Sequence, residues 1–394
     1  MGGSARKRVY LDYAASAPMR PEALAAEKAY EESTYAGANP NSLHSAGREA
    51  ARALDGARRT LARLMGSRLR PSDIVFTSGG TENNNLALIG MAEGARGRDR
   101  LRTRVLISAI EHDSGLDVVP ALRGRGFEVE LLSPSREGVI EPATLQAALG
   151  SDVALVSVMS ANNETGVVQP IAQLGKLAHG AGALFYTDAA QGFGKLELDF
   201  SACDAVGIVG HKIGAPVGTG ALAVRGRCPL RPQTFGGGQE RGIRPGTQDV
   251  RGALALVAAA QASCAGMRET RELVAARARG MYQRLCAEGT GIVATAGTAV
   301  GDDRLPGMLS LMVPGVDSES LVLQLDEEGF EVSAASACAS GSLDPSHVLS
   351  AMGIPREQAL GSLRVSFDER VAIEDLDAFC DVLIQVVARL RARG

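Results

Sequence analysis

The sequence predicts an α/β protein: a large domain with a mainly parallel sheet between helices, then a smaller C-terminal α/β domain. Two observations carry this. From about residue 45 to about 225, short apolar runs alternate with amphipathic segments. Nearly all-apolar strands separated by helices belong to a parallel sheet covered on both faces. Near residue 250 the pattern changes to two long helical stretches followed by sparser strands. The chain has 394 residues, enough for two or three folding units at roughly 150 residues each.

Taken in order, DIVFTSG from Asp73 leads into the helical TENNNLALIGMAEGA, and RVLISAI from Arg104 leads into a segment ending near Arg123. VALVSVMS from Val153 passes through NNETGVVQP into IAQLGKLAHGAG. LFYTDAA from Leu184, AVGIVGH from Ala205 and GALAVRG from Gly220 follow in quick succession. Helical spacing then covers about Gly246 to Gly266 and Arg268 to Glu288. The rest reads as MLSLMVPG from Met308, a helix from Ser318, EVSAAS from Glu331, SLRVSF from Ser362 and a last helix from about Glu374 to Arg393. The expected division is a large domain over 17–262 and a small one built from 1–16 and 263–394.

Composition excludes several classes. Net charge is −4, so neither nucleic acid nor an anionic membrane is an expected partner. Trp is absent and aromatics are 4%, which disfavours a stacking platform for single strands. Cys203, Cys228, Cys264, Cys286, Cys338 and Cys380 include no CxxC pair. A zinc ribbon or disulfide framework is therefore not expected, no metal is assigned, and a reducing cytoplasm is the natural setting. The N-terminus carries basic residues without an apolar stretch behind them, unlike a signal peptide, and the longest apolar stretches are too short to span a bilayer.

The chemistry-bearing residues fall at strand ends. Lys212, one of only five lysines, follows AVGIVGH in a tight loop of small residues. Read alone it is an exposed turn lysine. At the C-terminal edge of a buried parallel sheet it faces the crevice where α/β ligands bind, and desolvation there lowers an amine's pKa as a Schiff-base lysine requires. Asp188 ends an otherwise apolar strand; it is either a turn residue or the partner of a protonated pyridine nitrogen, which makes pyridoxal phosphate (PLP) an electron sink. Gly79, Gly80 and Thr81 open a helix whose N–H groups favour an anion, without the lysine of a P-loop. Asn162, Asn163 and Glu164 lie on a strand exit, as turn formers or as donors to a phenolic oxygen. His112 follows RVLISAI, where it is structural or stacks on a ring and moves protons. Cys338 sits in SAASACASGS, a run that reads as a mobile thiol-bearing loop or a plain linker; its thiol, with an ordinary pKa of about 8.5, needs local activation to attack at neutral pH.

The ordered set LDYAA, NPNSLH, FTSGGTENNN, EH, NNETG, DAAQ, GHK, GGGQERGIRPGT and SACAS resembles the NifS/IscS type of PLP-dependent cysteine desulfurase, of the class-V, fold-type I aminotransferase family. The resemblance runs from Leu11 to SLRVSF at Ser362. It implies that Lys212 carries PLP as a Schiff base and that Asp188 pairs with the pyridine nitrogen. Gln191 and Asn163 would contact the phenolic oxygen side, and His112 would stack on the ring. Gly80, Thr81 and His211 would hold the phosphate and Gly210 would also contact the cofactor, with Thr247 reaching the phosphate of the neighbouring protomer in a homodimer. Arg364 would bind the substrate carboxylate, with Asn39 and Asn163 nearby, and Cys338 would accept sulfur. Val209 departs from the usual Ser or Thr before Gly-His-Lys and removes one hydroxyl from the phosphate site. The implied reaction turns L-cysteine into L-alanine and an enzyme persulfide, whose sulfur passes to an acceptor such as an iron–sulfur scaffold or a thiolation enzyme. A selenocysteine lyase, another PLP enzyme of this fold, and a silent sulfur-relay scaffold are the alternatives; an intact Lys212, Asp188, His112 and Cys338 favours the desulfurase over the scaffold.

Overall fold

The computed structural model describes residues 7–66, 69–296, 303–334 and 345–392. After β1 (Val9–Tyr10), seven strands build the large sheet: β2 (Ile74–Thr77), β3 (Arg104–Ser108), β4 (Glu128–Leu132), β5 (Val153–Ser157), β6 (Leu184–Asp188), β7 (Ala205–Val209) and β8 (Gly220–Val224). Their spatial order is β2-β8-β7-β6-β5-β3-β4. All pairings are parallel except those of β8, which runs antiparallel to both β2 and β7. Strands β2, β5, β7 and β8 are buried along their whole length, which is why their sequences show no alternation.

β4 falls in a stretch where no strand is expected. It lies at the edge, exposes Glu128 and Glu130, and lacks the apolar run that marks the inner strands. The predicted helical stretch after residue 246 starts at Val250, because the Asp249 carboxylate accepts from Gly252 N at 2.9 Å and caps it there. Gly266, left-handed at φ 61°, separates helix Val250–Cys264 from helix Met267–Leu285. No single described helix is long and apolar enough to cross a membrane.

A second sheet orders β9 (Val293–Ala294), β10 (Met308–Met312) and β12 (Ser362–Ser366) as β12-β10-β9, antiparallel. β11 (Phe330–Glu331) pairs with β1, so the start of the chain joins this part. Its core, including Leu11, Leu311, Val365, Phe379 and Leu383, packs under helices Met267–Leu285 and Ile373–Arg391. Two further clusters cover the two faces of the large sheet, around Phe185 and Ile208 on one and Val105 and Tyr186 on the other. After β1 the chain crosses between the two sheets: Tyr13 N donates to Ser366 O, and Ala17 N to His211 O. That crossing places Ala14 and Ala15 in one wall of the site.

Candidate active site

β2 and the parallel strands run in one direction, so the loops after β2, β3, β5, β6 and β7 meet at one edge of the sheet. They enclose a cavity of ≈ 380 Å³, of small-molecule size, lined among others by Gly80, Thr81, His112, Asn163, Asp188, Gln191, Val209, His211, Lys212 and Arg364.

After β2, Gly79 turns the chain at φ 142°, a conformation that L side chains rarely adopt, into helix Gly80–Arg98. No side chain caps that helix, so its leading N–H groups are open to an anion. A Cβ on Gly80 would stand 3.1 Å from Val209 Cγ2: the Val209 side chain packs directly against this turn. After β3, His112 caps the short helix Asp113–Leu116, with Ser114 N donating to its Nδ1 at 3.1 Å. The neutral ring therefore carries its proton on Nε2. The preceding Glu111 is buried, and burial together with Asp188 pushes its carboxyl up to about 8.

After β5, Asn162 is a turn former: its Oδ1 accepts from Glu164 N and Thr165 N, each at 2.9 Å. Asn163 lines the cavity, and its carbonyl accepts from Arg364 Nη1 at 3.0 Å. At the end of β6, Asp188 Oδ1 accepts from Ala190 N at 2.8 Å and Oδ2 from Asn84 Nδ2 at 3.0 Å. Asn84 is itself held by Tyr186 Oη, which donates to its Oδ1 at 2.6 Å. Two donors thus hold a buried carboxylate at the cavity wall.

The tight turn Gly210–Lys212 follows β7. Lys212 Nζ donates to the carbonyls of Ala14 and Ala15, each at 2.8 Å. Burial, and then Lys212 and Lys195, push His211 down to about 4, so its ring is neutral at pH 7. Arg364, in the middle of β12 and 3% exposed, pairs with Asp12 Oδ1 at 2.7 Å. Its Nε is buried without a hydrogen-bond partner, an unmet donor on a cavity-lining guanidinium.

Most of the residues expected from the sequence converge here. Gly210 sits beside the cavity without lining it. Asn39 and Thr247 do not line it, and both are exposed. Asn39 Oδ1 instead accepts from Asn41 N at 2.9 Å, and Asn41 Nδ2 reaches Gln248 Oε1 at 3.0 Å. The segments holding Asn39 and Thr247 therefore meet each other, and the expected approach of Asn39 to substrate is not seen within one chain. Cys338 lies outside the described residues. Both flanks of its segment are tied to the site: Ser333 and Arg364 exchange backbone hydrogen bonds, and Ser346 Oγ donates to Glu164.

Sequence reasoning missed Asn84, Glu111 and Lys195 as contributors. Asn84 stands in an NNN run where nothing marks which amide turns inward. Lys195 left a usable signal: it is one of five lysines, four residues after Gln191.

Residues 9–379 match the family Aminotransferase class-V. An IscS-like cysteine desulfurase of Mycobacterium tuberculosis is 40% identical over 97% of this chain and 97% of its own. A solved NifS-like protein superposes with a TM-score of 0.87 at 29% identity, covering 97% of this chain and 100% of that one. A structure described as SspA in complex with cysteine gives a TM-score of 0.75 at 31% identity over 91% of this chain and 98% of that one.

Proposed function

The chain belongs to the aminotransferase class-V family, and from that premise we propose that it is a PLP-dependent cysteine desulfurase that holds the sulfur of L-cysteine as a persulfide on Cys338. The observation that carries this reading is the convergence of Lys212, Asp188, an uncapped helix N-terminus and the unmet Arg364 Nε on one cavity. Those groups fit PLP and an amino-acid carboxylate. The amine of Lys212 would hold the aldehyde carbon, Asp188 the pyridine nitrogen, and the N–H groups at Gly80 and Thr81 the phosphate, with neutral His211 beside them. When bound, PLP supplies an electron sink for bonds at the substrate's Cα and Cβ.

The protein supplies position and proton transfer. Arg364 holds the carboxylate and so orients Cα. The Lys212 amine would take the Cα proton and return it. His112, with its proton on Nε2, serves as the second proton carrier. The Cys338 thiolate attacks the substrate sulfur: an S–S bond forms, the Cβ–S bond breaks, and its electrons stay on carbon. Protonation of that carbon gives alanine, so cysteine plus enzyme thiol becomes alanine plus enzyme persulfide. Cys338 is five residues from Ser333, so the extended chain spans at most about 18 Å from the backbone pairing with Arg364.

The wider proposal is a homodimer in which Thr247 serves the partner's phosphate site and Asn39 approaches substrate only in the assembled pair. Residues 17–262 act as the PLP-binding domain, and 1–16 with 263–394 as the domain bearing Cys338. The acceptor is a sulfur-receiving protein in the cytoplasm, such as an iron–sulfur scaffold or thiolation enzyme. The test is mass spectrometry after adding L-cysteine without reductant. A thiol-reversible sulfur adduct is expected on the Cys338 peptide, with Cys338→Ser retaining PLP but losing alanine formation. Turnover of cysteine by Cys338→Ser at the wild-type rate would refute the role of this thiol and favour a selenocysteine lyase.

A further inference from the structure

We propose that His347 is a positioning residue for His112: it grips the residues on either side of His112 and so sets the direction of that imidazole in the cavity. This rests on the reading of His112 as a proton carrier. His347 Nε2 donates to the Glu111 carbonyl at 2.9 Å, and its Nδ1 faces Asp113 Oδ1 at 3.7 Å. His112 lines the cavity and His347 does not. His347 therefore acts through His112 and not on substrate or cofactor.

Peptide planarity turns these contacts into aim. The Glu111 carbonyl shares a plane with the nitrogen and Cα of His112. Holding its oxygen fixes the plane from which the His112 side chain departs, and the Asp113 contact steadies the chain on the other side. Within the turn, Ser114 N donates to His112 Nδ1 at 3.1 Å, which sets the ring against its own backbone. The loop after β5 supplies two further ties, with Asn162 Nδ2 donating to Ile110 O at 3.0 Å and Met159 N to Glu111 Oε1 at 2.6 Å. His347 brings the tie from the C-terminal part of the chain.

The helix that carries His347 is itself anchored here. It spans His347–Ala351 and is capped by Ser346, whose Oγ accepts from Val348 N at 3.1 Å and donates to the buried Glu164. Its apolar residues Val348 and Leu349 share one buried cluster with Ile110, two residues before His112. The helix thus meets residues 110, 111 and 113, by packing, by hydrogen bond and by charge. Packing alone would dock the helix; only the imidazole of His347 reaches the two neighbours of His112.

The test combines kinetics of the holoenzyme with a readout that needs no turnover. His347→Phe should lower kcat for alanine formation by about ten- to a hundredfold, since misplacing a catalytic group by roughly 1 Å costs about a hundredfold. The KM for L-cysteine should stay within about twofold, because His347 does not touch substrate. In a His112→Ala background the same substitution should cost nothing further, because a residue that only aims His112 then has nothing to aim. His347→Gln, which keeps an N–H for the Glu111 carbonyl, should restore most of kcat. His347→Ala takes the place of His347→Phe if that variant does not fold. For the second readout, 13C-labelled histidine in the full-length chain gives ring signals from five histidines. His347→Phe should shift the His112 signal and His347→Gln should leave it near wild type. His44, which caps helix Ser45–Met65, and His179, which pairs with Asp204, serve as unmoved controls. Losses that multiply in the double variant, an unmoved His112 signal in His347→Phe, or a Gln variant no better than Phe would overturn the proposal. If the His112 signal moved as expected while His112→Ala kept the wild-type kcat, the proton-carrier reading would fall and the positioning would stand.

Discussion

Arg364→Lys tests the substrate-carboxylate site. The guanidinium spends Nη2 on Asp12 and Nη1 on the Asn163 carbonyl and leaves Nε buried without a partner. Such an unmet charged donor is costly, and a substrate carboxylate would satisfy it. Lysine keeps the positive charge beside Asp12 but lacks the planar fork and cannot serve all three directions. Losing one hydrogen bond between charged groups costs about 1.5–3 kcal/mol, which is a roughly 10- to 150-fold rise in the KM for L-cysteine at about 1.4 kcal/mol per decade. The assay is initial-rate alanine formation over a range of cysteine concentrations. It is paired with the affinity for L-alanine, read from the change it causes in the cofactor's visible absorbance. Alanine shares the carboxylate and lacks the sulfur, so its affinity should fall by a similar factor. A KM within twofold of wild type, with kcat carrying the whole loss, would refute the carboxylate role and leave Arg364 as the brace between Asp12 and the Asn163 turn.

Glu111→Gln tests the buried carboxyl behind Asp188. Its folded value of about 8 lies above its ordinary 4.5, so the folded state holds an extra proton between those values. Its contribution is fully present below the ordinary value and is lost as pH rises through the folded one. Glutamine still accepts from Met159 N, which donates to Glu111 Oε1 at 2.6 Å, and it does not ionise. The variant should gain on wild type by on the order of a few kcal/mol in denaturant melts between pH 5 and pH 9; a constant difference would show that Glu111 does not titrate in that window. Val209→Ser places a hydroxyl where Cγ2 now packs on Gly80. If the phosphate lies at that turn, PLP should bind about tenfold tighter or better in equilibrium dialysis, since a hydrogen bond to a charged group is worth about 1.5–3 kcal/mol. Unchanged or weaker binding would mean that backbone N–H groups, His211 and Thr247 already satisfy the phosphate.

The inner strands, the two long helices after residue 246 and the strand-end positions of Lys212, Asp188, His112 and Asn163 were legible in the sequence, because a strand buried on both faces writes itself as an unbroken apolar run. β4 was not, because an edge strand such as EVELL has two glutamates facing water. Chemical type was legible too: a lysine in a small-residue turn and an aspartate ending an apolar strand say what they can do wherever they lie. What they touch depends on chain crossings that no local pattern records. Lys212 is held by Ala14 and Ala15, nearly two hundred residues earlier, only because the segment after β1 threads between the two sheets. Arg364 reaches Asp12 and Asn163 for the same reason. The hydrogen-bond link from Lys195 through Gln191 to the Ala14 carbonyl that holds Lys212, and the orphaned Nε of Arg364, exist only once those crossings exclude water. Local sequence determines periodicity and side-chain chemistry; desolvation and long-range pairing arise when distant segments share one interior.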